Sequence, residues 1–98
     1  MPTWDILNEK LERKKKEAIE HFYSGIEYYS KKEYVVACNK FQDAYQLYPS
    51  ESRGYYQWKI DILYQWGNAC FDLAELEENI SLIEQGYIKY KEALDLDE

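Results

Sequence analysis

Hydrophobic residues along this chain recur at steps of three and four. No stretch alternates with the period of two that marks a half-buried strand. Trp4, Leu7, Leu11, Ala18, Phe22, Gly25 and Tyr29 fall on one face of a helix predicted over 3–30. The stripe is broken at Lys14-Lys15-Lys16. At ~1.5 Å per residue this helix is about 40 Å long, which is long for so small a domain. Thr3 is placed to cap it, its hydroxyl accepting a hydrogen bond from a free N–H of the first turn. A reversal at Ser30-Lys31-Lys32 leads to a second helix over 33–47, with Tyr34, Ala37, Phe41, Ala44 and Leu47 on one face. Tyr48-Pro49-Ser50 stops it, because proline disfavours helical geometry in the residue before it. A third helix is predicted to start between 50 and 54 and to end near 73; Tyr55, Trp58, Ile62, Leu63, Trp66, Cys70 and Leu73 are its apolar positions. A fourth covers 76–96, with Ile80, Ile83, Tyr87, Tyr90 and Leu94 at three- and four-residue steps. Short connections join antiparallel neighbours. The pattern therefore predicts an all-α fold, near nine-tenths helix, built as two antiparallel helical hairpins with a long N-terminal helix extension.

Successive hairpins call for a repeat search. The first contains Gly25-x2-Tyr28, then Tyr34, then Ala37-x3-Phe41-x2-Ala44-x2-Leu47-x-Pro49. The second contains Leu63-x2-Trp66-Gly67-x2-Cys70, then Gly86-x3-Tyr90-x2-Ala93-x2-Leu96. Small residues at helix crossings let backbones approach, and an aromatic ring fills the space between them. This pattern resembles the tetratricopeptide repeat (TPR) family. The match departs at His21 and Ser24, where the family usually has Trp and Leu. The resemblance divides the chain into an N-terminal extension over 1–17, a first repeat over 18–51 with the family's 34-residue period, and a second, lengthened repeat over 52–98. Gly67 and Ala93 stand seven residues further apart than Gly25 and Ala44. Seven residues are close to two helical turns, so the insertion keeps its facing. The second hairpin is then expected to overhang the first, at the turn over 73–76 or, if the loop over 50–54 is long, at the opposite end.

Composition narrows the function. Twelve Lys and Arg face nineteen Asp and Glu, a formal charge of −7. Such a chain is a poor ligand for nucleic acid or anionic membranes, because the phosphate term opposes it. Aromatics make up 17%, with 11 tyrosines, and tyrosine suits half-buried contact surfaces. The two cysteines, Cys38 and Cys70, are too few for a disulfide scaffold or a zinc site; both sit in helical patterns as reduced core residues. No segment reads as a secretory signal or approaches the ~18 apolar residues of a membrane span, so a cytoplasmic location is expected, without membrane insertion. His21 lacks a marked nucleophile or orienting partner. Asp72, Glu75, Glu77 and Glu78 lack the glycine and ligand spacing of a calcium loop and read as a solvated helix junction. No phosphate loop or nucleophile elbow occurs. The expectation is a protein that is not an enzyme, with no catalytic residues, no metal and no cofactor. Lys10, Arg13, Lys14, Lys15 and Lys16 are interspersed with Glu9, Glu12 and Glu17, which reads as a solvated helix supported by charge pairs at four-residue spacing. Residues 75–98 hold eight acidic groups and two lysines.

The resemblance implies a binding module for a partner protein, a peptide or amphipathic helix held on a concave face by the first helix of each pair. Ile19, Phe22, Tyr23, Ile26 and Tyr29 would line it from the first helix, and Tyr64, Gln65, Asn68, Phe71 and Asp72 from the third. Such an aromatic surface suits an apolar or amphipathic segment. Relatives that clamp acidic chaperone tails use Lys and Asn; Phe22 and Ile26 stand at the corresponding first-repeat positions and only Asn68 matches, so that role is not expected. The alternative is a structural assembly domain. Repeat stacks usually need about three units, so this chain is either an excerpt of a longer array or completes its core with a second copy as a homodimer. A trafficking domain of three helices is the weaker rival. The stripe of Ile80, Ile83, Tyr87 and Leu94, or the N-terminal stripe of Trp4, Leu7 and Leu11, is the expected docking or self-association surface.

Overall fold

A computed structural model describes residues 2–97. It contains four helices, α1 (Pro2–Ser30), α2 (Tyr34–Leu47), α3 (Tyr55–Glu77) and α4 (Ile80–Leu96). The described residues are 86% helical and include no strand. The all-α reading holds.

The helix ends differ from the expected ones where local chemistry intervenes. Thr3 lies inside the first turn of α1 and not at its cap, because Pro2 is already helical; proline has no N–H to leave unpaired there. α1 closes with the N–H of Lys32 donating to Tyr29 O and that of Glu33 to Tyr28 O, while Lys32 takes φ 64°. This is the six-to-one and five-to-two pattern that glycine usually supports, here built on lysine. α3 does not stop at Leu73. It continues one turn to Glu77, and Glu78 at φ 53° closes it, with Asn79 N–H donating to Ala74 O. α4 begins at Ile80 and not near Leu76, because the Asn79 side chain accepts from Ser81 N–H at 3.0 Å and caps it. Gly54 at φ 80° precedes α3.

Each helix packs on the next, and α4 packs on α3, with the Tyr45 side chain of α2 also reaching Glu92. The chain forms a slab of 55 × 30 × 17 Å. Phe41, Ile62 and Leu63 are its largest fully buried side chains. Phe22, Ala37, Phe41, Ala44, Ile62 and Ala69 form the core between α1, α2 and α3; Ile60, Leu63 and Ala93 form a second between α3 and α4.

The two hairpins share one feature of packing. A Cβ on Gly25 would lie 2.6 Å from the Phe41 ring, and one on Gly67 would lie 2.8 Å from the Tyr90 ring. Glycine is needed at both places because a ring from the partner helix occupies the space a side chain would take. Ala44 and Ala93, one turn beyond each ring, are both fully buried. The seven extra residues lengthen the end of α3 and the start of α4, so the second hairpin projects past the first at the turn around 78–79.

Candidate functional site

α1 and α3 run in the same direction with α2 packed against both, and they approach each other at few points. The furrow between them is the candidate site. Its α1 wall carries Ile19 and Ile26, both half-buried, and Tyr23, which is 58% exposed. Phe22 is buried in the core, edge-on to Trp58 with ring centroids 5.6 Å apart. It supports the wall from beneath, and Tyr23 is the ring presented to solvent. Helical geometry accounts for the difference: adjacent residues point about 100° apart, so Phe22 follows the α2-facing stripe and Tyr23 clears it.

On the α3 wall, Tyr64, Gln65, Asn68, Phe71 and Asp72 are all half-buried. Several are tied to one another. Tyr29 Oη–H donates to the Asp72 carboxylate, bridging the furrow. Tyr90 Oη–H donates to Asn68 Oδ1, and the Tyr90 ring packs on Phe71 and Tyr64 at centroid distances of 5.1 and 5.7 Å. Burial, followed by the hydrogen bond to Asp72, pushes the Tyr29 phenol well above its ordinary range. Burial likewise raises Tyr90, with the Asp72 charge adding to it. These hydroxyls stay protonated donors at neutral pH and hold the furrow's shape. Gln65 joins no side-chain hydrogen bond among the described residues.

Trp58 belongs to this wall and was missed in the sequence. It meets Phe22 and Tyr23 edge-on and stacks on Tyr48 at 6.1 Å. Its signal was the seven-residue spacing Trp58, Gln65, Asp72, one face of one helix.

Lys59 lies behind the furrow, only 6% exposed. Its Nζ donates to Tyr45 O in the last turn of α2 and sits 3.5 Å from the centroid of the Tyr45 ring. An ammonium at a helix C-terminus satisfies a free carbonyl and the negative end of the dipole. Burial lowers its pKa, and Glu92 opposes that shift. Cys38 and Cys70 are free thiols across the α2–α3 contact; the contact with Cys70, then burial, pushes the Cys38 thiol up.

Ile80, Ile83, Tyr87 and Leu94 are between 48% and 73% exposed, and Trp4 and Leu7 are similarly open. Leu11 is half-buried and borders a cleft of ≈ 380 Å³ with Lys14 and the end of α2. The charge pairs expected around the basic run do not form: Lys31–Glu27 at 3.1 Å is the one ion pair among the described residues. Asp72, Glu75 and Glu77 lie on α3 itself, and no group of three or more His, Cys, Asp or Glu among the described residues is arranged to hold a metal ion. No helix among them is long and apolar enough to cross a membrane. Comparison with protein families, with curated proteins and with solved structures yields no match.

Proposed function

We propose that this chain is a non-catalytic interaction module of the TPR kind, which holds a peptide or amphipathic helix of a partner protein in the α1–α3 furrow. The observation that carries the reading is the aromatic seam where α1 and α3 lie side by side over α2, with Tyr23 exposed on the α1 side and Trp58 and Gln65 half-buried on the α3 side. The equivalence of Gly25–Phe41 with Gly67–Tyr90 supports the repeat reading. An aromatic wall with few open hydrogen-bonding groups favours an apolar segment bound chiefly by burial. The acidic balance argues against nucleic acid as ligand. Free thiols and the lack of a membrane-spanning helix among the described residues fit a cytoplasmic setting.

The test is selection from a displayed peptide library with this chain as bait, followed by amide shift mapping of a selected peptide. Shifts are expected along 19–29 and 58–72. Tyr23→Glu with Gln65→Glu should abolish binding while the helical circular dichroism stays unchanged. Phe22 is unsuitable for this purpose, since charge at a buried site tests the fold. Selected peptides that bind the double variant as well as the original chain refute the furrow.

A further inference from the structure

The internal repeat identifies the kind of neighbour that the outer face of α4 lacks. The offset that equates Phe41 with Tyr90 and Ala44 with Ala93 also equates Cys38 with Tyr87 and Tyr45 with Leu94. In the first hairpin α3 covers these positions: Cys38 faces Cys70, and Tyr45 packs on Trp66 with centroids 6.0 Å apart. Tyr87 and Leu94, with Ile80 and Ile83 on the same flank, meet no helix in this chain. The face is built to carry another helix, as α2 carries α3.

The chain also supplies a helix segment with an unused apolar stripe. The first turns of α1 outrun α2, and Trp4 and Leu7 are 69% and 51% exposed on the same helix face that buries Ala18 and Phe22 further along. Lys10, Lys14 and Lys15 follow Leu7 and Leu11 at three and four residues, which places positive charge along the edges of that stripe. The α4 end has the opposite sign: among residues 75–97 are seven carboxylates and two lysines. One of those lysines, Lys89, is turned onto the Trp66 ring at 4.0 Å. No ion pair within the chain uses either set of charges among the described residues.

We propose that the N-terminal stripe of α1 docks on the outer face of α4 in a second copy of this chain, its lysines set against the acidic end. Each stripe presents a few hundred Å² of apolar surface. One such joint falls short of the ~1,200 Å² that a stable interface buries, whereas two joints related by a twofold axis reach it. The occupied form is therefore a closed dimer in which each copy gives one α1 stripe and receives another. This surface is separate from the α1–α3 furrow and does not depend on the peptide reading.

Sedimentation velocity across a dilution series tests it, with the whole 98-residue chain. The unmodified chain should dimerise. Trp4→Glu/Leu7→Glu and Ile83→Glu/Tyr87→Glu should each be monomeric at the concentrations where it is dimeric, with unchanged helical circular dichroism. Mixing the two variants should restore association, but weaker than that of the unmodified chain, because only one of the two joints then has both an intact α1 stripe and an intact α4 stripe. Lys10→Glu/Lys14→Glu, which leaves the apolar contacts in place, should weaken the dimer at least tenfold. An unmodified chain that stays monomeric at every concentration overturns the proposal. So does a dimer that survives either pair of substitutions, since α4 would then pair with α4, or α1 with α1. A charge reversal that leaves the dimer unchanged overturns it as well.

Discussion

Replacing Gly25 with alanine puts a methyl group into space that Phe41 already fills. The new Cβ would lie 2.6 and 2.7 Å from two ring carbons, against 3.4–4 Å for an ordinary contact. The ring must retreat by most of an ångström, yet Phe41 is fully buried and packs against Phe22 at a centroid distance of 6.0 Å. Overpacking of this kind costs ~1–3 kcal/mol, and the absence of a free direction places it in the upper half of that range. Alanine is the better helix former by ~1 kcal/mol. The expected net loss is about 1–2 kcal/mol, or roughly 4–16 °C in melting temperature for a domain of this size. The second half of the experiment removes the obstacle. Phe41→Leu alone should cost about 1–2 kcal/mol in lost packing, but it vacates the space beside residue 25. In the double variant the strain term disappears while the propensity gain stays, so the combined loss should fall short of additivity by about 2–3 kcal/mol. Urea unfolding followed by circular dichroism and tryptophan fluorescence gives all four corners of the cycle. Gly25→Ala that stabilises by the ~1 kcal/mol of propensity alone, or two substitutions that simply add, would refute the close-approach argument. Gly67→Ala repeats the test in the second hairpin, where the methyl would lie 2.8 Å from Tyr90 and 3.2 Å from Gly86 O. Tyr90 is half-buried and can swing outward, but only by giving up its hydrogen bond to Asn68, worth about 1 kcal/mol.

The two hairpin turns hold non-glycine residues in left-handed backbone, so Lys32→Gly and Glu78→Gly should each stabilise by about 0.5–1 kcal/mol; a loss in urea unfolding would contradict the turn geometry. Asn79→Ala removes the side chain that caps α4 and should cost about 1 kcal/mol, with α4 amides showing the largest rise in hydrogen exchange. Stability should fall as pH rises above about 10, because burial raises the phenols of Tyr29, Tyr45, Tyr48 and Tyr90 in the folded chain. The unfolded chain then loses its phenolic protons first, so folding loses free energy as pH climbs from the ordinary value through the folded ones. Lys59, lowered by burial, acts in the opposite sense below its ordinary value of 10.5, but it is one group against four. In a spectrophotometric titration these tyrosines should ionise only as helical circular dichroism is lost; full ionisation with intact helices would show that they are not held by the fold.

The four helices, their antiparallel order and the small-residue crossings were legible in the sequence because each depends on spacing along a single helix. A glycine in register with an aromatic ring on the next helix is a local pattern that occurs twice, and Gly25–Phe41 and Gly67–Tyr90 meet as that pattern requires. The turns were less legible. Lys32 and Glu78 adopt a conformation for which glycine is the usual signal, so the end of α3 and the start of α4 were displaced from where composition placed them. Along the α1–α3 seam, periodicity placed the named residues on one side of each helix but did not separate exposed rings from buried ones. Phe22 became core because Trp58 and Phe41 close over it, and Tyr23, its neighbour in sequence, stayed in solvent. Tyr29 and Asp72, 43 residues apart, are joined by a hydrogen bond across the furrow, as are Asn68 and Tyr90 between α3 and α4. Helical period fixes the direction in which a side chain leaves its own axis; only the distance and tilt of the neighbouring helix decide whether it meets protein or water.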